Sequence, residues 1–240
     1  MTELRLSFGN VAETYDRVRP PYSQSLLDRA QEALEVGPGA RVLDLGAGTG
    51  RLTRELEGRF AEVVAVEPDA RMRALHGSAV AGRAEAIPLD DASVDAVFVG
   101  EAFHWFDPAA ALPELARVLR ERGGLAIIST HWWETDPPLP AEALRPLSEP
   151  YERSRVQRRP PWHEHEVFAA SPFDPLRYER ADDEMTVGAD DLLTLYSTTS
   201  ALASLAPEAR AALFAEVRPL LAGPYRLPLR HELWWTRLFR

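Results

Sequence analysis

The chain has 240 residues, of which 45% are hydrophobic and 27% charged, and its formal net charge is −10. These values are typical of a globular protein with a full core, and the acidic balance argues against nucleic-acid binding, which relies on basic surface. Cysteine and lysine are both absent, which excludes disulfides, thiolate nucleophiles, cysteine-based zinc sites and Schiff-base chemistry.

No apolar run approaches the ~20 residues of a membrane span, and the first residues lack the apolar core of a secretion signal. We therefore expect one domain over residues 1–240, a cytoplasmic location, no membrane or nucleic-acid partner, and a monomer or homodimer. His163 and His165 are two residues apart, so their rings do not share a helix face. No third ligand is evident, and no metal site is predicted.

The N-terminal residues 7–34 are predicted to form two helical pieces that separate at Pro20-Pro21. From residue 41 to 130, apolar runs of strand length alternate with helical periods. The predicted strands are 41–45, 62–66, 80–83, 94–99 and 124–129, and the predicted helices are 51–59, 69–76 and 108–121. This order predicts an α/β fold, with a Rossmann-like doubly wound parallel sheet and helices on both faces.

The second half of the chain departs from this alternation. Residues 131–172 are aromatic and proline-rich, and we predict an insertion with short helices that caps a substrate site. Strands are predicted at 173–187 and 227–238, which makes seven in all, with helices at 190–203 and 207–221 between them. The predicted parts are an N-terminal helical lid (1–40), a cofactor-binding core (41–130), the cap insertion (131–172) and C-terminal strands and helices (173–240).

The most informative stretch is residues 41–50, Arg-Val-Leu-Asp-Leu-Gly-Ala-Gly-Thr-Gly. Its apolar residues do not alternate, as expected of a central parallel strand covered on both faces. Gly46, Gly48 and Gly50 follow, and glycine permits both positive φ and close approach of a ligand. The spacing differs from the Gly-x-Gly-x-x-Gly dinucleotide fingerprint, so the run alone also fits an ordinary strand–helix turn.

A carboxylate stands at the end of the second predicted strand. Glu67 follows Gly50 by 17 residues, where a side chain at the strand tip reaches a ribose. A carboxylate accepts hydrogen bonds from two hydroxyls and repels a 2′-phosphate, so it suits a 2′,3′-diol. The alternative is a solvated acidic loop, for which Asp69 is the better candidate.

Several further motifs follow in order along the chain. Together with the glycine turn, the segments at 42–50, 66–69, 82–88, 95–99, 102–107 and 112–124 resemble class I S-adenosylmethionine-dependent methyltransferases. The resemblance is to their small-molecule group, methyltransferase type 11, typified by the ubiquinone/menaquinone and trans-aconitate methyltransferases. It covers residues 8–130 well and the rest loosely. It implies an antiparallel last strand, S-adenosyl-L-methionine as cofactor, and an N-terminal segment that closes over it.

The resemblance also implies which residues bind the cofactor. The turn contacts its methionine and ribose, Arg19 pairs with its carboxylate, and Glu85 reads the adenine. The implied set is Tyr15, Arg19, Asp44, Gly46, Ala47, Gly48, Glu67, Pro68, Met72, Ala84, Glu85, Ala86 and Glu101. Plainer alternatives stay open. Asp44 could satisfy loop amides and Met72 could belong to ordinary helix packing. Arg19 and Glu85 could be solvated surface residues.

The reaction centre is expected beyond the fourth predicted strand, because doubly wound sheets bind ligands at the carboxyl ends of their strands. Glu101 ends that strand and His104 follows it. His104 is the candidate general base, and its alternative role is to shape the pocket. Two rival functions remain: an NAD-dependent Rossmann oxidoreductase, and a non-catalytic methyltransferase-like protein that binds the cofactor.

The methyl acceptor is predicted to be a small organic molecule. The segment 196–200, Tyr-Ser-Thr-Thr-Ser, resembles a stretch that lies near the substrate in the trans-aconitate-like group, and its alternative role is a polar helix face. Aromatic surface for a planar acceptor comes from Trp132, Trp133 and Trp162. The arginines that could select a carboxylate, or simply form a solvated helix face, are Arg153, Arg155, Arg158 and Arg159.

Overall fold

The computed structural model of the protein describes residues 12–132, 137–155 and 168–239, with the backbone alone at 12, 13, 15 and 151–155. The strands are β1 (Arg41–Leu45), β2 (Glu62–Glu67), β3 (Val80–Ala81), β4 (Val94–Gly100), β5 (Leu119–His131), β6 (Arg177–Val187) and β7 (Tyr225–Arg237). The helices are α1 (Ala12–Val18), α2 (Gln24–Leu34), α3 (Arg51–Glu57), α4 (Ala70–His76), α5 (Pro108–Val118), α6 (Ala141–Arg155), α7 (Ala189–Ser197), α8 (Ser200–Ala203) and α9 (Pro207–Val217).

The strands form one sheet in the order β3-β2-β1-β4-β5-β7-β6. The pairs from β3 to β5 are parallel, whereas β7 runs antiparallel to β5 and β6. The direction of winding reverses between β1 and β4, which is where doubly wound sheets bind ligands. The predicted doubly wound, seven-stranded α/β fold with an antiparallel last strand is confirmed.

The described chain divides into two compact units, and the larger holds the first five strands. It comprises residues 22–130, 168–181 and 231–239 of the described chain. Its core consists of two clusters, and adjacent β1 residues enter different ones: Leu43 packs in the first and Val42 in the second. Because neighbouring side chains of a strand point to opposite faces, β1 is buried on both sides, as its unbroken apolar run predicts.

The smaller unit has its own hydrophobic cluster, which includes the fully buried side chain of Trp132. The described residues of this unit are 12–21, 131–132, 137–155 and 182–230. Within the described ranges of the chain, none of the helices is both long and apolar enough to span a membrane.

The end of α5 corrects one sequence prediction. The helix predicted over 108–121 is wrong in its last turn, because β5 already begins at Leu119. Leu119 pairs with Val94 and Gly124 pairs with Ala96, so the residues between form an irregular bulge in β5. Pairing with β4 therefore overrides the local helical preference of this charged stretch.

The region between β6 and β7 corrects a second prediction. The single helix expected over 190–203 is two helices, α7 and α8, which break at Thr198 and Thr199. Their hydroxyls donate to the carbonyls of Leu195 and Tyr196 at 2.6 and 2.8 Å. Threonine hydroxyls compete in this way for helix carbonyls, and they stabilise the end of α7.

Candidate cofactor site

Three glycines with positive φ form the turn after β1: Gly46 (76°), Gly48 (58°) and Gly50 (87°). An L-residue with a side chain is strained in this left-handed region, whereas glycine is not. The amides of Gly46 and Ala47 donate to the carbonyl of Val66 at 2.8 and 3.1 Å. The turn is therefore held by the end of the neighbouring strand, β2.

Gly46 and Gly48 differ in their surroundings. A Cβ placed on Gly46 would lie 2.7 Å from the Cβ of Ala102 and 3.6 Å from the ring of Phe106, so this glycine permits close packing against the segment after β4. A Cβ on Gly48 would meet no atom within 4 Å in the described parts of the chain. The turn thus leaves space beside Gly48, as a ligand cradle requires.

The Glu67 carboxylate, at the end of β2, braces this turn. Its Oε2 accepts from the amide of Gly48 at 2.9 Å, and its Oε1 accepts from the amide of Asp69 at 2.8 Å. Burial raises the pKa of Glu67, and the two backbone hydrogen bonds oppose the shift. Each carboxylate oxygen has more than one acceptor position, so both can also receive a ligand hydroxyl.

The residues that follow Glu67 start α4. Asp69 is buried and caps the helix by accepting from the amides of Arg71 and Met72 at 2.7 and 3.4 Å. The alternative that Asp69 belongs to a solvated acidic loop is therefore wrong. Pro68 accepts from the Arg73 guanidinium through its carbonyl at 2.7 Å, and the Met72 side chain is buried.

Asp44 lies in β1, just before the glycine turn, and is 1% exposed. Its Oδ2 accepts from the Thr53 hydroxyl at 2.6 Å, whereas its Oδ1 is buried with no hydrogen-bond partner among the described residues. The alternative role of Asp44, to satisfy loop amides, is therefore not what the described contacts show. Burial raises its pKa from 3.8 to about 7; the Thr53 hydrogen bond opposes this shift, and the Glu67 charge adds to it.

Asp44 is expected to make folding pH-dependent. Since its pKa is higher in the folded than in the unfolded chain, its favourable contribution to stability is complete below about pH 4 and is lost as the pH rises through about 7. The wild type should lose stability between about pH 4 and 7 relative to Asp44→Asn, which does not titrate, and should lose no more above that range. Urea unfolding of both proteins at four pH values measures this difference. Curves that stay parallel would contradict the assignment.

The segment predicted to read the adenine is a turn. Arg83 and Ala86 form an isolated antiparallel bridge, with a buried Ala84 and a half-buried Glu85 between them. The Oε1 of Glu85 accepts from the amide of Asp107 at 3.0 Å, so the turn is connected to the start of α5. Glu85 is thus not simply a solvated surface residue.

Glu101 ends β4 with a left-handed backbone conformation, φ 57°. Its Oε1 accepts from the amide of Thr130, near the end of β5, and its own amide donates to Ile128 at 3.0 Å. The hydroxyl of Thr130 lies 2.9 Å from Nδ1 of His231, which is buried. A row of polar contacts therefore crosses the carboxyl ends of β4 and β5, and strained backbone of this kind occurs often at functional sites.

His104 lies in a short 3₁₀ turn, Phe103–Trp105, that follows β4. Its side chain is exposed, and its ring centroid lies 4.9 Å from that of Trp105. Phe103 is buried and packs on Phe106 and Phe168. The turn therefore presents His104 outward on a fixed aromatic base, and its role as general base stays a prediction.

Arg19 bonds within the smaller unit. Its Nε donates to the Thr198 hydroxyl at 2.9 Å, and its Nη2 donates to the Thr198 carbonyl at 2.7 Å. Thr198 is fully buried, and the neighbouring Tyr196 packs edge-on against Trp132 with centroids 4.9 Å apart. Arg19 is thus not simply a solvated residue. For Tyr15 the structure describes only the backbone, in α1, so its role stays a prediction.

We expect Arg19→Ala to lower the free energy of unfolding by about 2 kcal/mol, because the buried Thr198 carbonyl loses a charged donor. Arg17→Ala, at an exposed position of α1, is the control and should change it by less than about 0.5 kcal/mol. Urea unfolding measures both. If Arg19→Ala instead leaves stability unchanged and weakens cofactor binding, the predicted pairing with the cofactor carboxylate is favoured.

Part of the predicted acceptor site lies outside the described residues: Trp133, Trp162, Arg158 and Arg159. His163 and His165, for which no metal site is predicted, also lie outside them. Arg153 and Arg155 lie in α6, where the backbone alone is described. The prediction that Trp132 offers aromatic surface to an acceptor is wrong, because its side chain is fully buried in the core of the smaller unit. In the described ranges no group of three or more His, Asp or Glu side chains is placed to hold a metal ion.

The structure brings together the glycine turn, Asp44 and Glu67, and it adds two residues that the sequence analysis missed. Thr53 of α3 bonds to Asp44, and His76 of α4 bonds to Thr53 at 2.9 Å. The helical period after Gly50 could have indicated which face of α3 Thr53 occupies. No sequence signal marks His76, because its contact depends on how α4 packs.

Comparisons with known proteins agree with this geometry. A family model described as a methyltransferase domain matches residues 43–127, which include the glycine turn and Glu67. An uncharacterized methyltransferase-like protein of Schizosaccharomyces pombe is 30% identical over 219 residues, which cover 88% of this chain and 84% of that protein. The chain belongs to the class I S-adenosylmethionine-dependent methyltransferases. The narrower grouping with ubiquinone and trans-aconitate methyltransferases stays a prediction.

A second relative is more similar but over a shorter stretch. An uncharacterized methyltransferase of Mycobacterium tuberculosis is 48% identical over 139 residues, covering 55% of this chain and 54% of that protein. The chain thus spans about half the length of the mycobacterial relatives that it matches. Among solved structures, a candidate type II methyltransferase from Anaeromyxobacter dehalogenans has a similar fold. Its TM-score is 0.60 at 23% identity, over 92% of this chain and 97% of that one.

Proposed function

We propose that this protein transfers a methyl group from S-adenosylmethionine to a small organic acceptor. The observation that carries the proposal is the Glu67 carboxylate, which is hydrogen-bonded to the Gly48 amide beside an open glycine turn. Membership of the methyltransferase family supports it.

The residues present fit this cofactor on two independent points. The space beside Gly48 would be filled by a Cβ, so only glycine leaves it free for a ligand. The buried Oδ1 of Asp44, which has no partner among the described residues, is an acceptor that suits a cationic group. Glu67 would receive the ribose hydroxyls and Asp44 the ammonium group.

When bound, S-adenosylmethionine supplies a methyl group that its sulfonium already activates. The chain is therefore needed to bind, to orient the acceptor and to exclude water. His104 lies in the 3₁₀ turn after β4, at the carboxyl ends of the strands. There it would take up the proton from a methyl acceptor whose nucleophilic atom must be deprotonated. The rigid aromatic base beneath it, Phe103 packed on Phe106 and Phe168, would fix that position.

The acceptor is proposed to be small and organic because the net charge of −10 disfavours a nucleic acid. Tyr196 packs edge-on against Trp132 inside the core of the smaller unit, so these two side chains do not bear on the choice of acceptor.

Calorimetry with S-adenosylhomocysteine, and with NAD as the comparison, tests the cofactor. We expect binding of S-adenosylhomocysteine and none of NAD; the reverse would favour the oxidoreductase alternative. An acceptor screen with a radiolabelled methyl donor then tests the reaction. Binding without transfer to any acceptor would favour a non-catalytic protein, and transfer to protein or tRNA alone would contradict a small acceptor.

A further inference from the structure

A series of hydrogen-bonded side chains lies next to the glycine turn and joins three elements of the larger unit. The Thr53 hydroxyl of α3 bonds to Oδ2 of Asp44 in β1 at 2.6 Å and lies 2.9 Å from Nε2 of His76 at the end of α4. On the other side of the ring, Nδ1 of His76 lies 3.2 Å from the hydroxyl of Ser78. The series thus ends at one oxygen of a buried carboxylate.

The direction of these hydrogen bonds follows from the number of protons. The Thr53 hydroxyl has one proton, which it donates to the Asp44 carboxylate, so its oxygen must accept from Nε2–H of His76. Burial lowers the pKa of His76, which favours the neutral ring. In that form Nδ1 is an acceptor, and both the hydroxyl and the amide of Ser78 lie within reach to donate to it.

The His76 ring is also fixed by its packing against the glycine turn. A Cβ placed on Gly50 would lie 2.9 and 3.1 Å from Cδ2 and Nε2 of the ring. Gly50 therefore permits the His76 ring to lie against the glycine turn. The position of the ring then limits where Thr53 can place its hydroxyl. Only one Asp44 oxygen is engaged by this arrangement, and the other is left as a buried acceptor.

We propose that Thr53 and His76 are positioning residues for the cofactor, which hold Asp44 by Oδ2 so that Oδ1 receives the ammonium group. The inference rests on the proposed function and deepens it. A buried carboxylate oxygen without a partner is costly, and a cation that donates a hydrogen bond is its strongest complement. The hydroxyl of Thr53 and the ring of His76 thus act on the cofactor through Asp44 and do not touch it.

Two ligands separate this role from a general effect on the fold. S-adenosylhomocysteine carries the ammonium group, whereas 5′-methylthioadenosine has the same nucleoside and lacks the amino-acid part. We expect Thr53→Val to weaken binding of S-adenosylhomocysteine about tenfold, and that of 5′-methylthioadenosine by less than about twofold. Thr53→Ser keeps the hydroxyl and should restore the affinity. Calorimetry measures the dissociation constants.

His76 provides a second pair of variants, which applies even if Thr53→Val fails to fold. His76→Leu removes the donor and should weaken binding of S-adenosylhomocysteine more than that of 5′-methylthioadenosine. His76→Gln keeps an N–H donor and should largely retain the wild-type ratio of the two affinities. Thr186→Val, on an exposed position of β6, is the matched control and should leave both affinities unchanged. Thermal unfolding of each variant checks that it is folded.

The possible outcomes are distinct. If Thr53→Val and His76→Leu weaken binding of both ligands equally, or change neither affinity, the positioning role is overturned and the proposed function still stands. If the wild type binds neither ligand, the proposed function fails and the inference fails with it. A selective loss for S-adenosylhomocysteine, with recovery in Thr53→Ser, supports the inference.

Discussion

Gly48→Ala is expected to abolish measurable binding of S-adenosylhomocysteine while lowering the free energy of unfolding by only about 1–2 kcal/mol. The small loss of stability reflects the left-handed φ of 58°, because a Cβ at this position meets no atom within 4 Å in the described structure. The large loss of affinity follows if the ligand occupies that space, since the methyl group would fill the cradle. Calorimetry and urea unfolding measure the two effects.

Gly77→Ala is the matched control for this experiment. Gly77 follows α4 as its C-terminal cap with φ 85°, and a Cβ there also meets no atom within 4 Å among the described residues. The backbone strain is therefore similar, but Gly77 is not part of the turn that contacts Glu67. Because Gly77 adjoins His76, the comparison uses 5′-methylthioadenosine, whose affinity does not depend on that ring. We expect Gly77→Ala to lose a similar amount of stability and to retain this affinity, whereas Gly48→Ala loses it. Normal affinity in Gly48→Ala would place the cofactor elsewhere.

Glu67→Ala should weaken binding of S-adenosylhomocysteine by about 3 kcal/mol or more, which is at least about a hundredfold in the dissociation constant. Two charge-assisted hydrogen bonds to the ribose would be lost. The amides of Gly48 and Asp69 would also lose their acceptor, so the turn itself would loosen. Calorimetry of the wild type and the variant measures the change.

Glu67→Gln refines this prediction, because the amide keeps the size of the side chain. Its NH₂ group would oppose the N–H of either Gly48 or Asp69, so we expect a loss of affinity close to that of alanine. Glu62→Gln is the control, since Glu62 starts the same strand and is exposed. If Glu67→Gln binds as tightly as the wild type, Glu67 does not bind the ribose.

The contact between the glycine turn and Glu67 could be predicted from the sequence, because it depends on strand order alone. Two parallel strands that are neighbours end at the same edge of the sheet, so residues after β1 and at the end of β2 must meet. The structure shows that meeting as the hydrogen bond from Gly48 to Glu67.

Contacts that depend on how helices pack could not be predicted in this way. The Thr53–His76 contact joins two helices, and the contact of Glu85 with the Asp107 amide joins two loops. Arg19 bonds to Thr198, which is 179 residues away in the chain. No local pattern marks such pairs, since they follow from side-chain packing and not from periodicity.

The hydrogen bonds of Glu67 also bear on the thermodynamics of recognition. Because its carboxylate joins the Gly48 and Asp69 amides, the turn is preorganised. The entropy of ordering this loop is then lost during folding and not during association, so a ligand gains affinity without that penalty. Glu67, which would select a ribose, thus also makes the glycine turn beside that ribose rigid.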